Sequence, residues 1–133
     1  MNIGVIGAGN VGGTLGKRWA KNGHRLVFAS RHPNSEKMQR LVAEAAPNAR
    51  CGSDADAAKS SEVVLVSTPW DTTEEALQSA GDLTGKILID ATNPLLPGLE
   101  GLSFGCNISA GEKLAEWARG AKLVKAFNTV GSN

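Results

Sequence analysis

Three glycines near the amino terminus have the spacing of a phosphate-binding turn. Gly7, Gly9 and Gly12 follow the pattern G-x-G-x-x-G directly after an apolar run and before a helical pattern. In such a unit the first glycine permits a tight turn, the second lets a pyrophosphate approach the backbone, and the third lets helix and strand pack closely. The amides near Asn10 and Val11 then face the pyrophosphate, with the positive end of the helix dipole behind them. The pattern predicts a dinucleotide site; the alternative is a purely structural glycine-rich turn.

The end of the second apolar run carries a hydroxyl and a cation instead of an acid. Ser30 and Arg31 stand where an NAD-binding unit usually places a carboxylate, which bonds the ribose 2′-hydroxyl and repels a 2′-phosphate. A hydroxyl and a guanidinium make charge-assisted hydrogen bonds to a phosphate, and a helix N-terminus at Asn34 and Ser35 adds amide donors. The sequence therefore predicts NADP(H); the alternative is an arginine solvated in a turn. His32 either touches the adenine or phosphate, or is a bystander.

A second group of candidates follows the later strands. Open parallel sheets bind ligands at the carboxyl ends of their strands. Trp70 has two interpretations: it lines the ribose or acceptor site, or it packs in the core. Asp71 is interpreted as a helix cap. Asp90 is interpreted as a buried carboxylate bonded to backbone amides. The residues expected to flank the nicotinamide half of the cofactor are Thr68, Pro69, Trp70, Thr92, Asn93, Pro94, Asn128 and Thr129.

No residue set in the sequence predicts acid–base, nucleophilic or metal catalysis. We find no Ser–His–Asp set, metal-ligand cluster or Lys/Tyr pair, and His24 precedes the second strand on the opposite rim. Hydride transfer by proximity, between a nicotinamide and a stacked acceptor, is therefore the expected chemistry, with no catalytic residue and no metal. Cys51 and Cys106 have no C-x-x-C spacing and are expected to be reduced thiols.

Strand and helix signals alternate along the whole chain. Fully apolar strands separated by helices predict a doubly wound parallel sheet, a Rossmann α/β fold of six strands in the order 3-2-1-4-5-6. Helices are expected at about 10–22, after Asn34 or Ser35, from Ser53, after Asp71 and after Ser109. The predicted strands are Ile3–Ile6, Leu26–Ala29, Ala49–Cys51, Val63–Val66, Ile87–Ile89 and Leu123–Ala126.

Length and charge set the remaining expectations. A chain of 133 residues predicts one domain, residues 1–133, with a real core. With 14 basic and 13 acidic residues the net charge is +1, which favours neither nucleic acid nor a membrane surface as a partner. The sequence shows no signal peptide and no bilayer-spanning run, so we expect a cytoplasmic protein whose partner is a small molecule.

Five blocks of the sequence resemble one known family. They are similar to the NADPH-dependent oxidoreductases named for the deazaflavin coenzyme F420, and to the cytosolic domains of transmembrane ferric reductases. The resemblance implies a Rossmann NADP-binding domain and hydride exchange between NADPH and a deazaflavin or flavin bound over the nicotinamide. It also implies that the glycine-rich loop takes the pyrophosphate and that Ser30 and Arg31 take the 2′-phosphate. The blocks are Ile3–Gly12, Ala29–Arg31, Val66–Trp70, Asp90–Pro94 and Val124–Thr129.

Members of that family usually continue beyond the position of Asn133, with elements that complete the acceptor pocket and the dimer. We therefore expect NADP binding to survive here, and an exposed apolar surface to favour a homodimer. Two alternatives stay open at this point. One is a non-catalytic NADP-binding or sensing module; the other is the N-terminal cofactor domain of an imino- or hydroxy-acid reductase.

Overall fold

The computed structural model describes residues 1–30, 32, 34–92 and 110–125; for residue 10 and residues 110–113 it describes the backbone only. All six predicted strands are present, and the differences at the described ends are single residues. The strands are β1 (Asn2–Ile6), β2 (Arg25–Ala29), β3 (Ala49–Gly52), β4 (Val63–Val66), β5 (Ile87–Asp90) and β6 (Lys122–Lys125). The helices are α1 (Asn10–Lys21), α2 (Glu36–Ala45), α3 (Asp54–Lys59), α4 (Trp70–Ala80) and α5 (Ala110–Trp117).

The six strands form one parallel sheet in the order β3-β2-β1-β4-β5-β6, which confirms the predicted fold class and strand order. The chain winds outward from β1 to β3 and then returns to place β4 on the other side of β1. Ile6, the last residue of β1, pairs with Ala29 on one side and Val66 on the other. The loops that leave β1 and β4 therefore diverge at the centre of the sheet, where a parallel sheet opens a ligand crevice.

Two apolar clusters, one on each face of the sheet, form the core. Helices α1 and α2 cover the face that carries Val5, Phe28 and Leu65. Helices α3, α4 and α5 cover the opposite face, which carries Val64 and Leu88. All five of these side chains are at most 1% exposed, and full burial of one such side chain contributes about 1.5–3 kcal/mol. Because helices cover both faces of the sheet, the strands are apolar throughout and do not alternate between apolar and polar residues.

Close packing fixes helix α1 against the sheet. A Cβ on Gly16 would overlap the ring of Phe28, so the helix can approach β2 only with glycine there. A Cβ on Gly13 would lie at ordinary contact distance, 3.6 Å, from Leu41 of α2. Gly16 therefore sets how closely α1 approaches the sheet, whereas Gly13 has room for a methyl group beside α2.

The starts of the helices resolve two questions that the sequence leaves open. Ser35, not Asn34, caps α2, because its Oγ accepts a hydrogen bond from the Met38 amide at 3.2 Å. The prediction that Asp71 caps α4 is wrong. That helix begins at Trp70 with Pro69 as its N-cap and no side-chain cap bond, which places Asp71 inside the first turn. A carboxylate there is still favourable, because it lies near the positive end of the helix dipole.

The capping signal predicted at Ser109 lies outside the described residues. Among the helices that the structure describes, none is long and apolar enough to cross a membrane.

Candidate functional site

The glycine-rich turn between β1 and α1 uses its three glycines differently. Gly7 has a φ of +94°, and a Cβ there would lie 2.7 Å from both the Ser67 carbonyl carbon and the Thr68 amide nitrogen. A Cβ on Gly12 would overlap the Gly7 carbonyl oxygen and lie 2.6 Å from Ser67 Oγ. Around Gly9, by contrast, a Cβ would meet nothing within 4 Å. The first and third glycines are therefore required by packing, while the second faces open space.

The start of α1 is suited to an anion. Gly9 is the N-cap and makes no side-chain cap bond, and the first turn has no acidic residue. The first backbone bond of the helix runs from the Gly13 amide to the Gly9 carbonyl at 2.8 Å. The amides of Asn10, Val11 and Gly12 precede it and have no carbonyl partner within the helix, so their partial positive charge is available to a ligand.

A cleft of about 680 Å³ opens beside this turn at the carboxyl ends of the strands. Its volume is in the range of small-molecule sites. None of the described residues that line it is Asp or Glu, and the nearest carboxylate on an adjoining surface is that of Asp54, which shares a smaller pocket with Gly7, Ala29, Ser30 and Thr68. The lining residues are Gly7, Ala8, Gly9, Ala29, Ser30, His32, Ser35, Lys37, Met38, Ser67, Thr68, Pro69, Ala91 and Thr92.

Two serine hydroxyls on the β2 side of the cleft have a proton left to donate. Ser30 Oγ accepts a hydrogen bond from the His32 amide at 2.9 Å, and Ser35 Oγ accepts one from the Met38 amide. Each hydroxyl is thus fixed by a bond that uses its lone pair and not its hydrogen. The Ser35 amide donates to the His32 carbonyl at 3.0 Å, which closes the turn between the two serines. The geometry leaves two O–H donors on one side of the cleft.

Lys37 is a cleft residue that the sequence analysis missed. It is the second residue of α2, it is exposed, and the described residues give it no ion pair. Lys17 of α1, by contrast, is bound to Glu44 at 2.9 Å, and this hydrogen bond lowers the pKa of the Glu44 carboxyl. The capping serine that starts α2 was the available signal, because it places residue 37 in the first helical turn, next to the loop after β2.

Uncharged side chains line the other side of the cleft, at the ends of β4 and β5. Ser67 Oγ donates to the Gly7 carbonyl at 2.6 Å and so ties β4 to the glycine-rich turn. Asp90 is fully buried, and its Oδ1 accepts from the Thr92 amide at 2.8 Å and from the Thr92 hydroxyl at 2.5 Å. The predicted burial of the Asp90 carboxyl is confirmed, but it bonds to one backbone amide and not to several, and its Oδ2 has no hydrogen-bond partner among the described residues. The bond from the Thr92 amide also fixes Thr92 on the cleft wall.

Trp70 packs against a helix in the described structure. Its ring centroid lies 5.2 Å from that of Trp117 on α5, with the planes tilted by 37°, and both rings pack against the apolar cluster under α3, α4 and α5. Trp70 does not line the cleft formed by the described residues. The packing interpretation therefore describes its position better than the ligand-wall interpretation.

The structure brings together most of the site residues that the sequence predicts and that the structure describes. The other predicted site residues lie away from the cleft or outside the described residues. Gly7, Gly9, Ser30, Ser35, Thr68 and Pro69 share one cleft, and Asn10, Val11 and Gly12 form the first turn of α1 beside it. Asn34 is exposed in the turn before α2 but does not line the cleft. His24 lies at the other end of the sheet, where its Nδ1 is 3.4 Å from the terminal amine. The candidates outside the described residues are Arg31, Asn93, Pro94, Asn128 and Thr129.

Comparison with known proteins gives one family and a set of solved structures with the same fold. The model of the family described as NADP oxidoreductase, coenzyme F420-dependent, matches residues 2–94. A protein from Arthrobacter sp. FB24, assigned as an F420-dependent NADP-reductase, is 31% identical with a TM-score of 0.88, over 99% of this chain and 64% of that one. A hypothetical protein from Sinorhizobium meliloti is 27% identical with a TM-score of 0.85, over 99% and 63%.

An imine reductase from Myxococcus stipitatus, solved in complex with NADP+, is more distant. It is 25% identical with a TM-score of 0.67, over 94% of this chain and 40% of that one. The chain thus spans less than two thirds of the length of each of these three proteins.

Proposed function

The chain belongs to the family of coenzyme F420-dependent NADP oxidoreductases, and we propose that it binds NADP(H) and exchanges hydride with a deazaflavin or flavin-type acceptor. The observation that carries the proposal is the contrast between Gly9 and its neighbours. Two glycines are packed tightly to hold the turn, while the position between them opens on a cleft at a helix N-terminus, and none of the described residues lining that cleft is Asp or Glu. A negatively charged diphosphate fits that arrangement.

The residues present fit the pyrophosphate of NADP(H). In the proposal the backbone of Gly9, Asn10 and Val11 holds it through amide donors, and Gly7 and Gly12 hold the turn in shape. Support comes from the free first-turn amides and from the open space beyond Gly9. An acid in this turn would oppose the bound charge, and the first turn of α1 has none.

We assign the 2′-phosphate to the β2 side of the cleft. Ser30 and Ser35 would donate O–H hydrogen bonds, Arg31 would supply the guanidinium, and Lys37 would add a second positive charge. The assignment of Arg31 rests on its place in the sequence, between two residues that line the cleft. Asn34 belongs to the same turn and would contribute through its backbone. A cation and hydroxyls in place of a carboxylate favour the phosphorylated cofactor.

The nicotinamide half would then lie over the ends of β4 and β5. Thr68, Pro69 and Thr92 are the described residues there, and Asn93, Pro94, Asn128 and Thr129 join them by sequence position. When bound, the nicotinamide supplies or accepts the hydride. The protein's own task is to orient the ring and exclude water, and none of the described lining residues on this side is ionisable. In this proposal Trp70 does not contact the cofactor; its role is to pack helix α4 in place.

The proposal also covers the domain organisation, location and partners of the protein. Residues 1–133 would form one NADP-binding domain of a cytoplasmic protein whose partner is a small-molecule acceptor and neither nucleic acid nor membrane. The near-neutral net charge of +1 supports the exclusion of polyanionic partners. Ile87 and Val124 are 39% and 49% exposed on the sheet, and this apolar surface supports a homodimer.

Rapid-mixing absorbance tests the activity. NADPH is mixed with the protein and, in separate runs, with F420, FMN, FAD or a ferric chelate, and its oxidation is followed. We expect oxidation with the deazaflavin or a flavin, at a rate proportional to protein concentration. Tight NADPH binding without oxidation by any acceptor would contradict the catalytic proposal and support the non-catalytic binding module.

A further inference from the structure

A smaller pocket of about 250 Å³ adjoins the cleft at the start of α3, and we call it the side pocket. Asp54, the first residue of α3, lines it on one side, and Thr72 and Ala76 of α4 line it on the other. Ser30 lines both the side pocket and the cleft. A ligand that occupies the cleft can therefore extend past Ser30 into the side pocket.

The side pocket combines apolar walls with one ionisable group. Ile6, Ala29 and Ala76 line it and are at most 5% exposed, so they can cover the flat face of a ring. Asp54 is half-buried, and it is the only ionisable group among the described residues that line this pocket. An ionised carboxylate is a pure acceptor with about four lone-pair sites, so it can accept from a ligand as well as from a group of the protein.

These properties decide which part of a dinucleotide the side pocket can hold. A phosphate is disfavoured, because its negative charge is repelled by the Asp54 carboxylate. A flat ring that carries an amino group is favoured, because apolar residues cover its faces and the carboxylate accepts from its edge. Adenine is such a ring: its exocyclic amino group N6 is a hydrogen-bond donor.

The covalent structure of NADP(H) brings the adenine to the same place. The base and the 2′-phosphate are attached to adjacent carbons of one ribose, so a 2′-phosphate at Ser30 puts the base beside Ser30 too. His32 lines the cleft there but not the side pocket, and it is exposed. A base against His32 would keep much of its surface in water, whereas the side pocket removes apolar ring surface from water, which is favourable.

We infer that the side pocket holds the adenine base and that Asp54 is a specificity-determining residue, whose carboxylate accepts a hydrogen bond from the adenine amino group. The inference rests on the proposed function, because it needs the phosphorylated adenosine at Ser30. It gives this carboxylate a role in reading the base, distinct from the binding of a ribose hydroxyl by an acid after the second strand.

The test compares NADP+ with its hypoxanthine analogue by calorimetry. In the analogue a keto oxygen replaces the adenine amino group, so an acceptor faces the carboxylate in place of a donor. We expect the wild-type protein to bind NADP+ about 10-fold more tightly than the analogue, because a hydrogen bond to a charged group is lost. The analogue with unsubstituted purine, which has no group at that ring position, should bind about 5-fold more weakly than NADP+.

Asp54→Asn should remove most of the preference. An asparagine amide can accept from an amino group or donate to a keto oxygen, so NADP+ and the hypoxanthine analogue should bind within about two-fold of each other. The ratio is compared within each protein, because loss of a negative charge near the 2′-phosphate strengthens the binding of both ligands. Asp54→Ala, which has no polar group at this position, should lower the ratio in the same way.

Two control variants keep the side-pocket carboxylate. Asp71→Asn removes an exposed carboxylate from the first turn of α4 that does not line the side pocket, and it should leave the 10-fold preference intact. His32→Ala should also keep the preference. Loss of the preference in His32→Ala would place the base on the other side of Ser30 and overturn the inference.

The remaining outcomes separate the inference from the proposed function. Equal binding of NADP+ and the hypoxanthine analogue by the wild-type protein, a measurement that needs no variant, would reject the inference and leave the proposed function intact. A preference that persists in Asp54→Asn and Asp54→Ala, or that Asp71→Asn abolishes equally, would do the same. Wild-type protein that binds neither ligand would reject the proposed function and the inference together.

Discussion

The two sides of the cleft are built from different chemistry. The phosphate corner, defined as the first turn of α1 with Ser30, Ser35 and Lys37, offers backbone amides, free O–H donors and a solvent-exposed cation. The hydroxyl corner, defined as Ser67, Thr68, Thr73, Asp90 and Thr92, is buried or half-buried, and its hydroxyls bond to one another, to the backbone or to a carboxylate.

The two corners are therefore expected to have different roles: the phosphate corner sets how tightly a ligand binds, and the hydroxyl corner sets how it is oriented. Charge and amide donors in the phosphate corner attract an anion, and their strength falls as salt screens them. Hydroxyls in the hydroxyl corner that already bond within the protein add little attraction, but their oxygen atoms are held in fixed positions towards whatever binds. We therefore expect substitutions in the first corner to change how tightly the cofactor binds, and substitutions in the second to change which part of it is held.

The largest effect is expected where packing and binding coincide, at the third glycine. Gly12→Ala forces a Cβ onto the Gly7 carbonyl and Ser67 Oγ, and we expect a loss of about 3 kcal/mol in the free energy of unfolding, measured by urea denaturation. Gly9→Ala is the matched control, because its Cβ meets open space. Its unfolding free energy should fall by less than about 1 kcal/mol, yet NADPH binding should weaken, since the new methyl group occupies the approach of the pyrophosphate. Equal destabilisation by the two substitutions would refute the division of roles among the glycines.

The next effect separates the phosphorylated from the unphosphorylated cofactor. Arg31→Ala should weaken NADPH binding by about 1.5–3 kcal/mol, roughly 10- to 150-fold in Kd, because a charge-assisted bond to the 2′-phosphate is lost. NADH binding should stay nearly the same. Equal losses for the two cofactors would show that Arg31 does not contact that phosphate.

A smaller effect is expected at the exposed cation of the phosphate corner. Lys37→Ala should weaken NADPH binding about two- to five-fold, since solvent and salt screen an exposed charge, and the difference should shrink as the salt concentration rises. Lys17→Ala removes a cation of the same type that is already bound to Glu44, and it should leave NADPH binding unchanged. Identical effects of the two variants, titrated by NADPH fluorescence, would argue against a specific role for Lys37.

The parts of this molecule that local patterns determine could be read from the sequence. The glycine spacing predicted the turn, and the apolar runs predicted six strands, because strand identity follows from local periodicity. The strand order could then be predicted because crossovers between parallel strands are almost always right-handed. Capping patterns at Ser35 and Ser53 predicted the starts of their helices, and the structure has a complete capping box at Ser53.

The remaining features depend on contacts that no local pattern encodes. Thr73 looks like an ordinary helix residue, and only the folded structure shows that its Oγ1 lies 2.8 Å from Oγ1 of Thr68. Trp70 packs on Trp117, 47 positions along the chain, a pairing that requires the folded arrangement of α4 and α5. Asp71 is not the cap because Pro69, with a φ of −55°, is the N-cap, two residues earlier than the capping pattern indicates. Lys37 has no distinctive signal in the sequence, because an exposed lysine near the start of a helix is common, and only the folded position of α2 brings it to the cleft.

The most direct test is calorimetric titration of the wild-type protein with NADPH and with NADH in the same buffer. The account predicts that NADPH binds at least about ten-fold more tightly, since the 2′-phosphate adds charge-assisted hydrogen bonds. Equal affinities, or tighter binding of NADH, would contradict it.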